Sequence, residues 1–122
     1  MIKKIEHIGI AVKDINNSNQ LFKKLFGAEH YKTETVESEG VSTSFFMLGE
    51  TKIELLEAKT ETSAIAKFIE KKGEGIHHIA YEVDDIYLEM ERLKSEGFEV
   101  LNAEPKKGAD NKLIFFLHPK ST

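Results

Sequence analysis

From Ile5 to Val12 the chain alternates. Ile8, Ile10 and Val12 fall on one side of an extended segment, and His7, Gly9 and Ala11 on the other. The spacing then changes: Ile15, Phe22, Leu25 and Phe26 form a helical stripe, with Asp14 placed to cap its start and Gly27 to close it. A β-branched stretch over Glu29 to Val36 gives the weakest strand signal, and Glu37-Ser38-Glu39-Gly40 reads as a turn. Strands are predicted over Val41 to Leu48 and Lys52 to Leu56, joined through Gly49-Glu50 as a hairpin. The first half is therefore βαβββ.

A connecting helix follows, capped by Thr62 or Ser63, striped by Ala64, Ile65 and Phe68 and ended by Gly73 and Gly75. The second half then repeats the first. His7, Ile8, Val12, Asp14 and Ile15 fall on His78, Ile79, Val83, Asp85 and Ile86 at an offset of 71, and Phe45-Phe46 on Phe115-Phe116 at 70. Along this second histidine strand His78, Ala80 and Glu82 share one face, and Ile79, Tyr81 and Val83 the oily one, which is expected to pack under helices. Asp85 caps a helix with Ile86, Met90 and Leu93 on one side, ending at Gly97. Phe98 to Asn102 is predicted as a short strand, Glu104 to Asn111 as a loop, and Leu113 to Leu117 as an apolar strand.

The fold class expected is α+β: two tandem βαβββ modules forming one cupped mixed sheet with helices outside. One domain spans 1–122, with module one over about 1–58, the connecting helix over about 60–73 and module two over about 75–122. The last strand of the second module is missing from this plan. The mate of Glu54 would fall at about 124 or slightly later, so the gene product is expected to run on by one strand carrying a Glu.

Composition narrows the function. Seventeen basic against 21 acidic side chains give a net charge of −4 with no basic cluster, which disfavours nucleic acid as partner. There are no cysteines, and no apolar run nears the roughly 20 residues of a membrane span. A cytoplasmic protein with no membrane partner is expected.

The face that begins with histidine and continues with Gly9, Ala11 and Ala80 leaves room for a ligand. If the modules pack about a pseudo-twofold axis, His7 and His78 converge, and Glu54, on the Lys52-Glu54-Leu56 face, points into the same space. Two His and a Glu form a ligand set for a divalent ion such as Co, Zn, Ni, Mn or Fe. A strand histidine taken singly is more often a hydrogen-bonded core residue; its duplication tilts the balance. Other candidates are weaker: His77 and His118 read as structural or surface residues, Glu37 and Glu39 as solvated rim carboxylates with some chance of acid–base work, and Lys106, Lys107 and Lys120 as surface lysines able to meet nucleotide phosphates. His30 carries no signal.

The halves resemble the vicinal oxygen chelate (glyoxalase-like) superfamily, and within it the methylmalonyl-CoA epimerase family. The likeness spans the chain through Glu6-His7-Ile8-Gly9-Ile10-Ala11-Val12, Gly49-Glu50-Thr51-Lys52-Ile53-Glu54-Leu55-Leu56-Glu57, the segment Gly75 to Ile86, and Phe116-Leu117-His118-Pro119-Lys120. Where the family loop reads Gly-Ala-His-Gly, this chain has Gly108-Ala109-Asp110-Asn111. The resemblance implies one divalent metal held by His7, Glu54 and His78, with Glu54 counted also as catalytic. It further implies a homodimer acting on a small-molecule thioester, and an isomerase that removes and returns the proton beside an acyl-CoA carbonyl. A lactoylglutathione lyase working on a glutathione hemithioacetal is the alternative, and a metal-free small-molecule binding module the second.

Overall fold

A computed structural model describes residues 1–108 and 111–119. The elements run β1 (Ile2–Ala11), α1 (Ile15–Phe26), β2 (Lys32–Val36), a 3-10 turn (Glu37–Glu39), β3 (Val41–Leu48), β4 (Thr51–Ala58), α2 (Ala64–Lys72), β5 (Gly75–Val83), α3 (Ile86–Ser95), β6 (Lys106–Lys107) and β7 (Leu113–Ile114). The chain divides into two compact units, Ile5–Tyr81 and a second made of Met1–Lys4 with the chain from Glu82 onward. It is α+β as expected, with a five-stranded mixed sheet ordered β2-β3-β4-β1-β5 and a small sheet of β6 and β7.

In the Ile5–Tyr81 unit the βαβββ plan is complete. Asp14 caps α1 by accepting from the backbone N–H groups of Asn16 and Asn17, and Gly27 closes it in the left-handed region at φ 72°. Strands β3 and β4 form the expected hairpin, turned at Gly49 with φ 61°. β4 then lies parallel to β1, pairing His7 with Lys52, Ile8 with Ile53 and Gly9 with Glu54. That register sorts side chains onto two faces. Val12, Phe46, Ile53 and Leu55 form one core cluster with Ile8, Ile10 and the α1 residues Ile15, Phe22 and Phe26. Ala11, Val41, Leu56 and Ile65 form another with Phe68 and Ile69 of α2. These clusters belong to opposite faces, because Ala11 and Leu56 alternate with Ile10 and Leu55.

Two apolar expectations are corrected here. Leu25 is 68% exposed; at 100° per residue it stands roughly 80° round the helix from the Ile15–Phe22–Phe26 line. Ile79 and Tyr81, expected under helices, are 48% and 55% exposed. β5 ends the sheet, and α1 and α2 are already packed against the β1, β3 and β4 rows. Ala11 is also not part of an open cup, since it is fully buried against α2.

In the second unit, Asp85 caps α3 by accepting from Tyr87 and Leu88 N–H groups, and Met90 and Leu93 are buried as the stripe predicts. Buried Glu89 receives both Nε and Nη2 of Arg92 at 2.8 Å, and that pairing holds its carboxyl below the ordinary range. The strand expected over Phe98 to Asn102 is only a bridge between Val100 and Leu117. Leu101 N–H donates to Phe116 and His118 N–H to Glu99, but the Asn102 side-chain oxygen takes the Phe116 N–H at 2.8 Å and interrupts the ladder. For the same reason the apolar strand is shorter than expected: β7 covers Leu113–Ile114, paired with Lys106–Lys107 inside the predicted loop. Ala109, Asp110 and Lys120 lie outside the described residues.

Candidate metal centre

Three neighbouring strands each supply one of the expected residues. β1 brings His7, β4 brings Glu54 two residues along from His7's partner Lys52, and β5 brings His78. His7 touches the other two through the two different nitrogens of its ring. His7 Nε2 lies 2.9 Å from His78 Nε2, with the rings edge to face at 88°, and His7 Nδ1 lies 3.2 Å from Glu54 Oε2. Glu54 is 3% exposed. A buried carboxylate is costly without partners, so its place beside an imidazole is a requirement of the fold as well as an opportunity for chemistry.

Gly9 makes the meeting possible. It sits between His7 and Ala11 on the same face, and a Cβ at this position would come within 2.6 Å of His78 Nδ1 and nearer still to Cε1. The small-residue face thus has a definite occupant, the His78 ring. Burial first, and then the neighbouring imidazoles of His7 and His77, push the His78 pKa down to about 4. At neutral pH this ring is uncharged and has a lone pair to offer.

Glu6 belongs to the cluster and was not visible in the sequence pattern. Strict alternation sends it to the face opposite His7, yet its carboxylate turns back: Oε1 is 2.7 Å from His7 Nδ1 and Oε2 is 3.1 Å from Lys52 Nζ. Burial, the largest single influence on Glu6, acts to raise its pKa, but the hydrogen bonds from His7 and Lys52 together outweigh it and hold the group below the ordinary carboxylate value. The only sequence signals for this were the Glu-His dipeptide and a lysine in register across β4. Glu6, His7 and Glu54 offer ligand atoms within 4.8 Å of one another.

His77 keeps its structural reading, edge-on to Phe68 at 4.9 Å, and adds a contact from its Nδ1 to His78 Nδ1 at 2.9 Å. The weaker candidates lie elsewhere in chemistry. Glu37 and Glu39 are exposed and line a shallow polar cavity of about 300 Å³ with Thr60, Thr62 and Ser63. His118 Nδ1 is 3.6 Å from Glu99, Lys106 lies over the Phe116 ring, and His30 packs edge-on to Phe46.

The donor set fits a divalent transition metal. Glu6, His7 and Glu54 supply borderline nitrogen and hard oxygen donors within 4.8 Å of one another, both carboxylates on the Nδ1 side of His7, while the His78 ring, held neutral and seated over Gly9, stands at Nε2.

Comparison with known proteins shows the family. The model of the glyoxalase/bleomycin resistance protein/dioxygenase superfamily matches residues 6–116. The ethylmalonyl-CoA/methylmalonyl-CoA epimerase of Cereibacter sphaeroides is 44% identical over 98% of this chain and 91% of its own. Among solved structures, a hypothetical protein of Bacillus halodurans superposes with a TM-score of 0.94 at 43% identity, covering 97% of this chain and 86% of the other. A variant of Streptomyces coelicolor methylmalonyl-CoA epimerase in complex with 2-nitronate-propionyl-CoA superposes with a TM-score of 0.93 at 34% identity, covering 99% and 88%.

Proposed function

The chain belongs to the glyoxalase/bleomycin resistance protein/dioxygenase superfamily, and from that premise we infer that it is a methylmalonyl-CoA epimerase-type isomerase. It takes the α-proton from an acyl-CoA thioester and returns it on the opposite face. The contacts of His7 with His78 through Nε2 and with Glu54 through Nδ1 support this reading. The substrate class is supported by two of the relatives, the epimerases of Cereibacter sphaeroides and Streptomyces coelicolor, which match nearly the whole chain.

His7, Glu54 and His78 are the residues that would hold one divalent metal. When bound, the ion acts as a Lewis acid and lowers the cost of the negative charge that develops on the thioester oxygen. The chain's own residues do the rest. Depressed basicity keeps His78 a neutral donor at the pH of the cell interior. Glu54, buried beside His7, is the carboxylate assigned to the proton: the Cα–H bond breaks toward it, and the electron pair moves into the carbonyl. A second acid protonates the same carbon from the other side, and Glu54 passes its proton to solvent while that acid is reprotonated from it, so the inversion leaves no net change in atoms.

Two measurements test the reading. Metal content of the purified protein should be close to one divalent ion per chain and should be lost in His78→Ala. In deuterated water the metal-loaded protein should wash deuterium into the α-position of methylmalonyl-CoA while interconverting its epimers, and chelation should stop both together. No exchange with the metal-loaded protein would falsify the assignment; turnover confined to a glutathione hemithioacetal would establish a lyase instead.

A further inference from the structure

We propose that Glu6 is a positioning residue for the metal centre: held by Lys52, its carboxylate fixes the His7 proton on Nδ1 and so leaves the Nε2 lone pair facing His78. The inference rests on the metal-site reading above and concerns a residue to which nothing in that reading gives a role.

The hydrogen-bond chain has a direction. An ionised carboxylate can only accept, so the 2.7 Å contact between Glu6 Oε1 and His7 Nδ1 requires the hydrogen to sit on that nitrogen. In a neutral ring Nε2 is then the acceptor, and the 2.9 Å contact to His78 Nε2 is made with that lone pair. Glu54 faces the same nitrogen from farther off, at 3.2 Å, so Glu6 is the closer of the two carboxylates that favour this tautomer. Metal-ligating histidines generally carry a carboxylate or carbonyl behind the non-ligating nitrogen, which fixes the tautomer and raises ligand basicity.

Glu6 competes poorly for the alternative role of ligand. Oε1 is engaged by His7 and Oε2 by Lys52 at 3.1 Å, and both members of the Glu6–Lys52 pair are 13% exposed at the side chain. Lys52 is the cross-strand partner of His7, so the β1–β4 register places the cation where it can hold the carboxylate from behind.

The test uses the intact chain with Glu6→Gln and Lys52→Met. In the metal-free protein with 15N-labelled histidine, long-range nitrogen–proton correlations read the His7 tautomer directly. Wild type should show Nδ1–H, and Glu6→Gln should show a mixture, because an amide can donate as well as accept. Titration with cobalt should give affinity lowered 10- to 100-fold in Glu6→Gln and by a smaller factor in Lys52→Met, with the visible absorption spectrum of the bound ion unchanged. A changed cobalt spectrum in Glu6→Gln would make Glu6 a ligand and overturn the proposal. An unaltered tautomer with unaltered affinity would overturn it too. Should Glu6→Gln fail to fold by circular dichroism, Lys52→Met decides on the same readouts. Wild-type protein that binds no cobalt would sink the metal reading itself, and the tautomer measurement, made without metal, would still decide what Glu6 does.

Discussion

The two faces of the β1–β4 strand pair differ by a single step along the chain and have opposite tasks. Ile8, Ile10, Ile53 and Leu55 meet the phenylalanines of α1 on one side; on the other, His7, Gly9 and Glu54 build the polar cluster. The first face is lined by aliphatic side chains, whereas the second draws together five ionisable groups within hydrogen-bonding or ion-pair reach: Glu6, His7, Lys52, Glu54 and His78. Alternation lets one strand serve cohesion and chemistry together, so a substitution on either face should reveal its face by what it damages.

The largest effect should come from the aliphatic side. Leu55 is fully buried, and Leu55→Asp would place an unpaired charge there, so no cooperative unfolding transition should be seen by circular dichroism. The milder Leu55→Ala should cost about 2–5 kcal/mol while metal binding in the protein that remains folded is preserved. A loss of metal with unchanged stability would break the division between faces.

The polar side should answer to pH. His78 has a folded pKa of about 4 against an ordinary 6.5, so on acidification the unfolded chain takes up a proton before the folded one does. Its contribution is complete above pH 6.5 and is lost as the pH falls toward 4, amounting to roughly 3 kcal/mol at most. Denaturant titrations of chelator-treated protein at pH 7, 5.5 and 4.5 should show this decline, and His78→Gln should flatten it. A metal-free protein that gains stability over that range would contradict the neutral, buried ring.

Gly9→Ala falls between the two. Its methyl group would strike the His78 ring, and the expected destabilisation is about 1–3 kcal/mol. Cobalt affinity should fall along with it, which distinguishes this site from Leu55→Ala. The smallest effect belongs to Leu25→Ala on α1, expected to stay within about 0.5 kcal/mol because the side chain is largely in solvent; a cost above 1 kcal/mol would mean that Leu25 has a partner.

Local chemistry made much of this legible in the sequence. Asp14, Ser63 and Asp85 cap helices because a short side-chain oxygen satisfies N–H groups two or three residues on, a relation contained within each segment. The 71-residue offset placed His7 and His78 at equivalent points of β1 and β5, and alternation put Glu54 on their face. What failed depended on contacts that no local pattern encodes. The oily row of Ile79 and Tyr81 was real, but its cover depends on where helices lie. The strand expected over Phe98 to Asn102 was cut short when the Asn102 side chain took a ladder hydrogen bond. Glu6 escaped because a glutamate has enough rotatable bonds to leave the face that its Cα assigns, and Lys52, the residue that draws it back, is distant in sequence.

The close seat of the His78 ring over the Gly9 backbone has a consequence for the timing of metal uptake. A ligand side chain free in solvent must give up its rotamers when an ion arrives, and that loss is subtracted from affinity. Here the loss falls at the folding step, where packing of the aliphatic face offsets it. The ion then meets a ring already oriented, so uptake should proceed as a single fast phase, and Gly9→Ala, which displaces the ring, should add a slow one.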